Sequence, residues 1–210
     1  CCFINIGGVS NLTYWDGKEL IGFDTGPGNC LLDEFMRLKF NKNFDLNGNI
    51  ASKGTLTPYI LHFLLKNKFF VKPYPKSIDK NHFQKEFFQL SDIGFKNEDF
   101  MCSLVHFTSE TILKGIFSLP QKPKNVILTG GGSNNIFLNN MIRNKLNKHK
   151  IWLYNKNINK DFIESELIAY IATRSLYKFP YTYPQTTGVK KPLSGGTLFK
   201  PYRKPFVSSI

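Results

Sequence analysis

Two β-rich runs, Leu12-Thr13-Tyr14-Trp15 and Leu20-Ile21-Gly22-Phe23, are joined across Asp16-Gly17, a strong two-residue hairpin signal. That pairing commits the start of the chain to an antiparallel ribbon. A third apolar run, Phe3-Ile4-Asn5-Ile6, precedes it and ends at Gly7-Gly8. After the hairpin, Asp24-Thr25-Gly26-Pro27-Gly28-Asn29 forms a turn, and Leu31 to Met36 reads as a helix. Asp45-Leu46-Asn47-Gly48 is another turn. Pro58 suits the first turn of a helix carrying Ile60, Leu61, Phe63 and Leu64. Lys72 to Ser77, with two prolines, is a rigid connector.

Periodicity then predicts a long helix over Glu98 to Phe117, with Phe100, Leu104, Phe107, Thr111 and Ile112 on one side. Val126 to Thr129 is a buried strand, followed by Gly130-Gly131-Gly132-Ser133-Asn134-Asn135 and a helix bearing Phe137, Leu138, Met141, Ile142 and Leu146. Ile151 to Tyr154 is a further strand. Asp161 to Tyr177 is a helix with its acids early and Arg174 late, matching its dipole. The order β, β, β, α, α, α, β, α, β, α predicts an α/β layered domain with a mixed sheet.

At 210 residues the chain can build one full core, or at most two small domains. The formal net charge of +13 invites a nucleic-acid reading. However, the excess is Lys rather than Arg, the residue that clamps phosphates and base edges in two-point fashion. A solvated Lys surface is expected, with only loose attraction to polyanions. Cys1, Cys2, Cys30 and Cys102 form no C-x-x-C pair and have no His at metal-ligand spacing; no metal site and a reduced, cytoplasmic compartment are expected. No apolar run has the length of a membrane helix. The chain opens without Met, directly in a buried-strand pattern, so the expectation is the later part of a larger protein.

The chemistry centres on three places. Each glycine turn, Gly7-Gly8 and Gly130-Gly131-Gly132, follows a buried strand. Each reads either as a cradle whose N–H groups approach an anion or as an ordinary turn needing positive φ. In the triple glycine, a side chain at any position could block a bound nucleotide. Asp24 ends an apolar strand with no neighbouring cation in sequence. It reads either as a general base over a cleft or as a turn-former whose carboxylate bonds the Thr25 or Gly26 amide. Glu164 and Glu166 lie in the first turns of the last helix, facing a cleft or simply serving as N-terminal charges.

Together these residues resemble the anhydro-N-acetylmuramic acid kinase family, of the actin, Hsp70 and sugar-kinase fold. The resemblance is carried by Asn5-Ile6-Gly7-Gly8-Val9-Ser10-Asn11-Leu12-Thr13 and by Gly22-Phe23-Asp24-Thr25-Gly26-Pro27-Gly28-Asn29. It extends through Asp45, Gly48, Ala51 and Gly54 (D-x-x-G-x-x-A-x-x-G), Pro75-Lys76-Ser77, Gly130 to Gly132 with Asn134-Asn135, Asp161 and Glu164, and Thr187-Gly188. The family's N-terminal Gly-Thr-Ser-rich phosphate loop has no counterpart here. Ile78, Asp79, Lys80 and Asn81 replace its usual Thr-Gly-Arg-Glu.

The resemblance implies a ribonuclease H-like lobe with a mixed five-stranded sheet flanked by helices. Residues 1–210 would be a single C-terminal kinase lobe. Within it, 1–29 would form the phosphate and catalytic hairpin, 98–178 the long helix and adenosine-side part, and 179–210 a surface-wrapping tail. The implied reaction opens 1,6-anhydro-N-acetylmuramic acid with water and phosphorylates it at O6 from ATP, with Mg²⁺ bridging the phosphates, in cell-wall recycling. Asp24 would be the general base. Gly7, Gly8 and Asn11 would lie near the phosphates, Gly130, Gly131, Gly132 and Asn134 near the nucleotide, and Asn29 and Glu164 near the sugar. The partners implied are an N-terminal lobe and a second copy in a homodimer, with no membrane and no specific nucleic acid. A lobe alone would be inactive. The alternative is a non-catalytic remnant or a nucleotide- or sugar-binding lobe of a split gene.

Overall fold

The computed structural model describes residues 1–154 and 163–200. Five strands form one sheet: β1 (Cys2–Ile6), β2 (Val9–Trp15), β3 (Leu20–Pro27), β4 (Asn125–Thr129) and β5 (Trp152–Leu153). Their order is β3-β2-β1-β4-β5. The first three pair antiparallel, whereas β4 joins β1, and β5 joins β4, in parallel. An antiparallel meander extended by two parallel strands in this order is the ribonuclease H-like arrangement, as expected from the resemblance.

Alternation along the strands assigns the two faces. Ile4, Ile6, Leu12, Tyr14, Ile21 and Phe23 are buried on one face. Against it lie α1 (Cys30–Phe40), α4 (Asn97–Phe117) and α5 (Ile136–Asn147). Phe35 stacks on Phe100 with ring centroids 4.4 Å apart, and Phe107 meets Phe70 and Phe83 edge-on. Each such ring contributes about 1.5–3 kcal/mol by leaving water. The other face carries Phe3, Asn5, Asn11, Thr13, Trp15, Gly22 and Asp24; Phe3 and Trp15 remain exposed there.

Among the remaining helices, α2 (Pro58–Leu65) begins at Pro58 as expected. A helix that the sequence reading omits, α3 (Gln84–Ser91), buries Phe87 and Leu90. With Phe83 these recur at four and three, but only over eight residues, too short a run to separate from the proline-rich connector before it. The last long helix, α6 (Ile163–Leu176), is described from Ile163, so Asp161 and the side chain of Glu164 lie outside the described residues. Beyond it, a short helix α7 (Pro184–Thr187) and a bridge between Thr182 and Leu193 order part of the tail. Thr186 sits over Gly22: its Cγ2 would lie 3.4 Å from a Cβ placed there.

Candidate active site

At the carboxyl ends of β1 and β4, where open α/β sheets gather their ligands, four polar side chains share one row. Asp24 is opposite Asn11, Asn11 is opposite Asn5, and Asn5 is opposite Thr129. All four point to the face away from the helix-covered core. Three strand spacings separate the ends of this row, roughly 14 Å. The row therefore runs from the candidate base to the first residue before the glycine turn Gly130–Gly132.

Asp24 does not end its strand, as the sequence reading expects; β3 continues to Pro27. The strand pairing shifts there: Asn11 is opposite Asp24 but Ser10 is opposite Gly26, leaving Thr25 as the extra residue of a bulge. Thr25 turns inward, where its hydroxyl donates to the Ser10 carbonyl at 3.1 Å. The turn-forming alternative for Asp24 also fails. Its carboxylate accepts from the Ile78 amide at 2.8 Å, not from Thr25 or Gly26, and its own N–H donates to the Lys76 carbonyl at 2.9 Å. The connector around Lys76 thus clamps the acid from the sheet edge. Burial pushes the Asp24 carboxyl above the ordinary aspartate range, and the Ile78 N–H holds it partly back. No cation contributes.

The Gly7-Gly8 turn is bound to the segment after β3. Gly28 and Cys30 donate to the Gly8 carbonyl at 2.9 and 3.1 Å, and Asn29 donates to the Gly7 carbonyl at 2.8 Å. The N–H groups of the two residues before α1 and of its first residue, Cys30, are therefore taken by carbonyls of the turn. Gly7 uses its own N–H on the Val9 carbonyl, while Gly8 stays exposed. A Cβ at Gly28 would overlap the Gly7 carbonyl oxygen, which explains the glycine there.

The three glycines of the triple turn have different surroundings. Gly130 has φ +75° and lies against the Asn5 side chain, and Gly132 packs on Ile6 and Asn29. Only Gly131 looks into open space. It lines a cavity of about 450 Å³ together with Gly132, Asn134, Asn135, Asn29, Asp33 and the loop from Phe44 to Asn47. Asn135 caps α5 by accepting from the Leu138 amide at 3.0 Å. The D-x-x-G-x-x-A-x-x-G run builds the wall of this cavity. Asp45 accepts from the Ile50 and Ala51 amides at 2.9 Å each, and Ala51 is fully buried.

The structure thus brings together Asp24, Asn11, Gly7, Gly8, Asn29, Gly131 and Asn134 at one end of the sheet. Asn29 stands between the two halves, with its Nδ2 3.5 Å from the Ile6 carbonyl and its side chain on the cavity. Asp33, which lines the cavity, and Asn5, in the middle of the polar row, carry no assigned role in the sequence reading. Burial pushes the Asp33 carboxyl up to about 6, against the opposing pull of Arg37.

Mg²⁺ held on a nucleotide usually takes one or two carboxylates plus phosphate oxygens and waters. No group of three or more His, Cys, Asp or Glu side chains clusters to hold a metal among the described residues. No helix of the described residues is long and apolar enough to cross a membrane.

Comparison with known proteins agrees with the motifs. The family model for anhydro-N-acetylmuramic acid kinase matches residues 1–201. A curated protein of that name from Rhodopseudomonas palustris is 40% identical over 206 residues, 94% of this chain and 53% of its own. Those from Brucella anthropi and Zymomonas mobilis are 34% and 32% identical, each over 93% of this chain and 52% or 53% of their own. The chain spans about half the length of the curated relatives it matches. Among solved structures, component A of the (R)-2-hydroxyglutaryl-CoA dehydratase of Acidaminococcus fermentans aligns over 76% of this chain and 56% of its own, at 13% identity and TM-score 0.48, too distant to add to the strand order. On the family model and these relatives, the chain belongs to the anhydro-N-acetylmuramic acid kinase family.

Proposed function

We propose that this chain is the C-terminal lobe of an ATP-dependent kinase that opens 1,6-anhydro-N-acetylmuramic acid and phosphorylates it at O6, a step of cell-wall sugar recycling in the cytoplasm. The observation that carries the reading is the row from Asp24 to the Gly130 turn, which sets a cation-free carboxylate beside a glycine-walled cavity.

In this reading Asp24 takes a proton from water as the water oxygen attacks the anomeric carbon. The bond from that carbon to O6 breaks, O6 attacks the γ-phosphorus, and the bond to ADP breaks. A carboxylate raised by burial is the stronger base, and the Ile78 amide fixes which oxygen faces the water. Gly8 and Asn11 lie beside the transferring phosphoryl group, Gly131 and Asn134 beside the nucleotide. Asn29 and Glu164 contribute to the sugar side. Mg²⁺, arriving with the nucleotide, would supply charge neutralisation for phosphoryl transfer. The remaining work is positioning.

Such a site needs a second wall. In this reading ATP and sugar lie between this lobe and an N-terminal lobe, and the assembled enzyme pairs as a homodimer. Residues 1–29 supply the catalytic hairpin, 98–178 the adenosine side, and 179–210 the covering tail. The test is phosphorylation of the anhydro sugar by the 210-residue chain alone and after addition of a relative's N-terminal half. No turnover alone and turnover on addition are expected. Turnover by the chain alone would refute the two-lobe requirement. None in either case would favour a non-catalytic remnant.

A further inference from the structure

The bulge beside Asp24 has two anchors, and both belong to Thr25. Its hydroxyl donates to the Ser10 carbonyl at 3.1 Å, and the residue is buried. Its methyl fills a notch in α4: a Cβ placed at Gly115 would stand 2.6 Å from Thr25 Cγ2. The same side of α4 carries Thr111 and Thr108, four and seven residues earlier. Thr111 lies against Gly26, 3.1 Å from where a Gly26 Cβ would stand, and Thr108 donates to the Gly28 carbonyl at 3.1 Å. The helix therefore meets β3 with small or hydroxyl-bearing residues where the strand leaves regular pairing.

The extra residue has a consequence for the site. Asp24 is opposite Asn11, while Gly26 rather than Thr25 is opposite Ser10. Beyond the bulge, Gly28 and Asn29 reach the carbonyls of the Gly7-Gly8 turn. With regular pairing, either Asp24 would keep Asn11 or Gly28 and Asn29 would keep the glycine turn, but not both. The two registers differ by one residue, about 3.3 Å along the strand. We infer that Thr25 is a positioning residue: it holds the bulge that sets the Asp24 carboxylate in register with the Gly7-Gly8 turn. The inference rests on the reading of Asp24 as the base. A displacement of about 1 Å at a reacting group can cost about 100-fold in rate. A merely structural Thr25 would contribute to stability and leave the carboxylate where it is.

The first arm of the experiment needs no ligand and no partner lobe. It follows the Ile78 amide resonance, which reports its bond to the Asp24 carboxylate, in the ¹⁵N-labelled 210-residue chain. Asp24→Asn marks where that resonance lies without the carboxylate. Thr25→Val puts a methyl, which needs roughly 3.5 Å, where the hydroxyl now stands 3.1 Å from the Ser10 oxygen. It should move the Ile78 resonance towards the Asp24→Asn position and leave the Leu138 amide, capped by Asn135, unmoved. Thr25→Ser, which keeps the hydroxyl, should leave both in place. If Thr25→Val does not fold, Gly115→Ala displaces Thr25 from the other side, and the double variant Gly115→Ala with Thr25→Ser, which removes the clashing methyl, should restore the resonance. An Ile78 resonance unmoved in Thr25→Val or Gly115→Ala would overturn the role of Thr25 and spare Asp24 as the base. The second arm measures kinetics in the assembled two-lobe enzyme. Thr25→Val should lower kcat at least about tenfold with KM for ATP within about twofold of the original, and Thr25→Ser should retain turnover. A moved resonance with unchanged kcat would uphold the hold of Thr25 on Asp24 and refute Asp24 as the base.

Discussion

Asp24 and Ile78 are 54 residues apart in sequence, yet the Ile78 amide donates to the Asp24 carboxylate at 2.8 Å. With the Asp24 N–H on the Lys76 carbonyl, the connector after α2 runs along the outer side of β3 and fixes both the backbone and the side chain of the acid. This is the segment in which the chain departs from its family's usual Thr-Gly-Arg-Glu. The contact is made by backbone, so the departure in side chains leaves it intact.

The first prediction concerns pH. Burial raises the Asp24 pKa, and the Ile78 N–H, by favouring the charged form, opposes that rise. In the assembled enzyme, the acid limb of kcat/KM should therefore fall at a higher pH than an ordinary aspartate would give. Ile78→Pro removes the donor and should move the limb higher still. A pH–rate profile with an unmoved limb would show that this amide does not set the base.

Asp33 makes a separate prediction on stability. Its carboxyl is raised to about 6, so between the unfolded aspartate value and that pH the folded state binds more protons. Stability from this residue is therefore full below about pH 4 and is lost as pH rises through about 6. Asp33→Asn should stabilise the fold at pH 7.5 by about 1 kcal/mol, after allowance for its partial exposure. The gain should vanish at pH 4. Urea unfolding at the two pH values measures it, and a gain that is equal at both would place its origin elsewhere.

Gly28→Ala tests the joint between the Gly7-Gly8 turn and α1. The added methyl would overlap the Gly7 carbonyl oxygen, which already accepts from Asn29. The backbone must shift at the joint, and a loss of about 2–3 kcal/mol is expected. Gly131→Ala, which faces open space, should leave stability within about 0.5 kcal/mol by the same chemical denaturation.

Thiol reactivity tests the burial pattern. Cys1 is exposed, whereas burial pushes the Cys2 thiol up to about 12 and the Cys30 thiol up to about 11, and Cys102 is buried and raised as well. A disulfide reagent at pH 8 should modify Cys1 rapidly and the other three only on unfolding. Fast reaction of Cys30 would contradict the packing of α1 on the glycine turn.

Much of this architecture was legible in the residues. The Asp16-Gly17 hairpin, the alternating strands and the long α4 follow from turn chemistry and periodicity, because each is decided locally. The site was legible only as motifs. Asp24 could be singled out, but its bulge arises from the pairing of β2 with β3, and its hydrogen-bond partner comes from Ile78, which no local pattern connects to it. The triple glycine was recognisable, whereas the division into two packing glycines and one open one depends on Asn5 and Ile6 across the sheet. The place of Asn5 beside Gly130 is set by register, a relationship between strands separated by more than a hundred residues.

The central claim is that Asp24 is the base. Its most direct test is Asp24→Asn in the assembled two-lobe enzyme, measuring kcat for the anhydro sugar alongside nucleotide affinity. The account predicts a fall in kcat of at least about 100-fold with nucleotide affinity unchanged. Turnover within threefold of the original enzyme would contradict it.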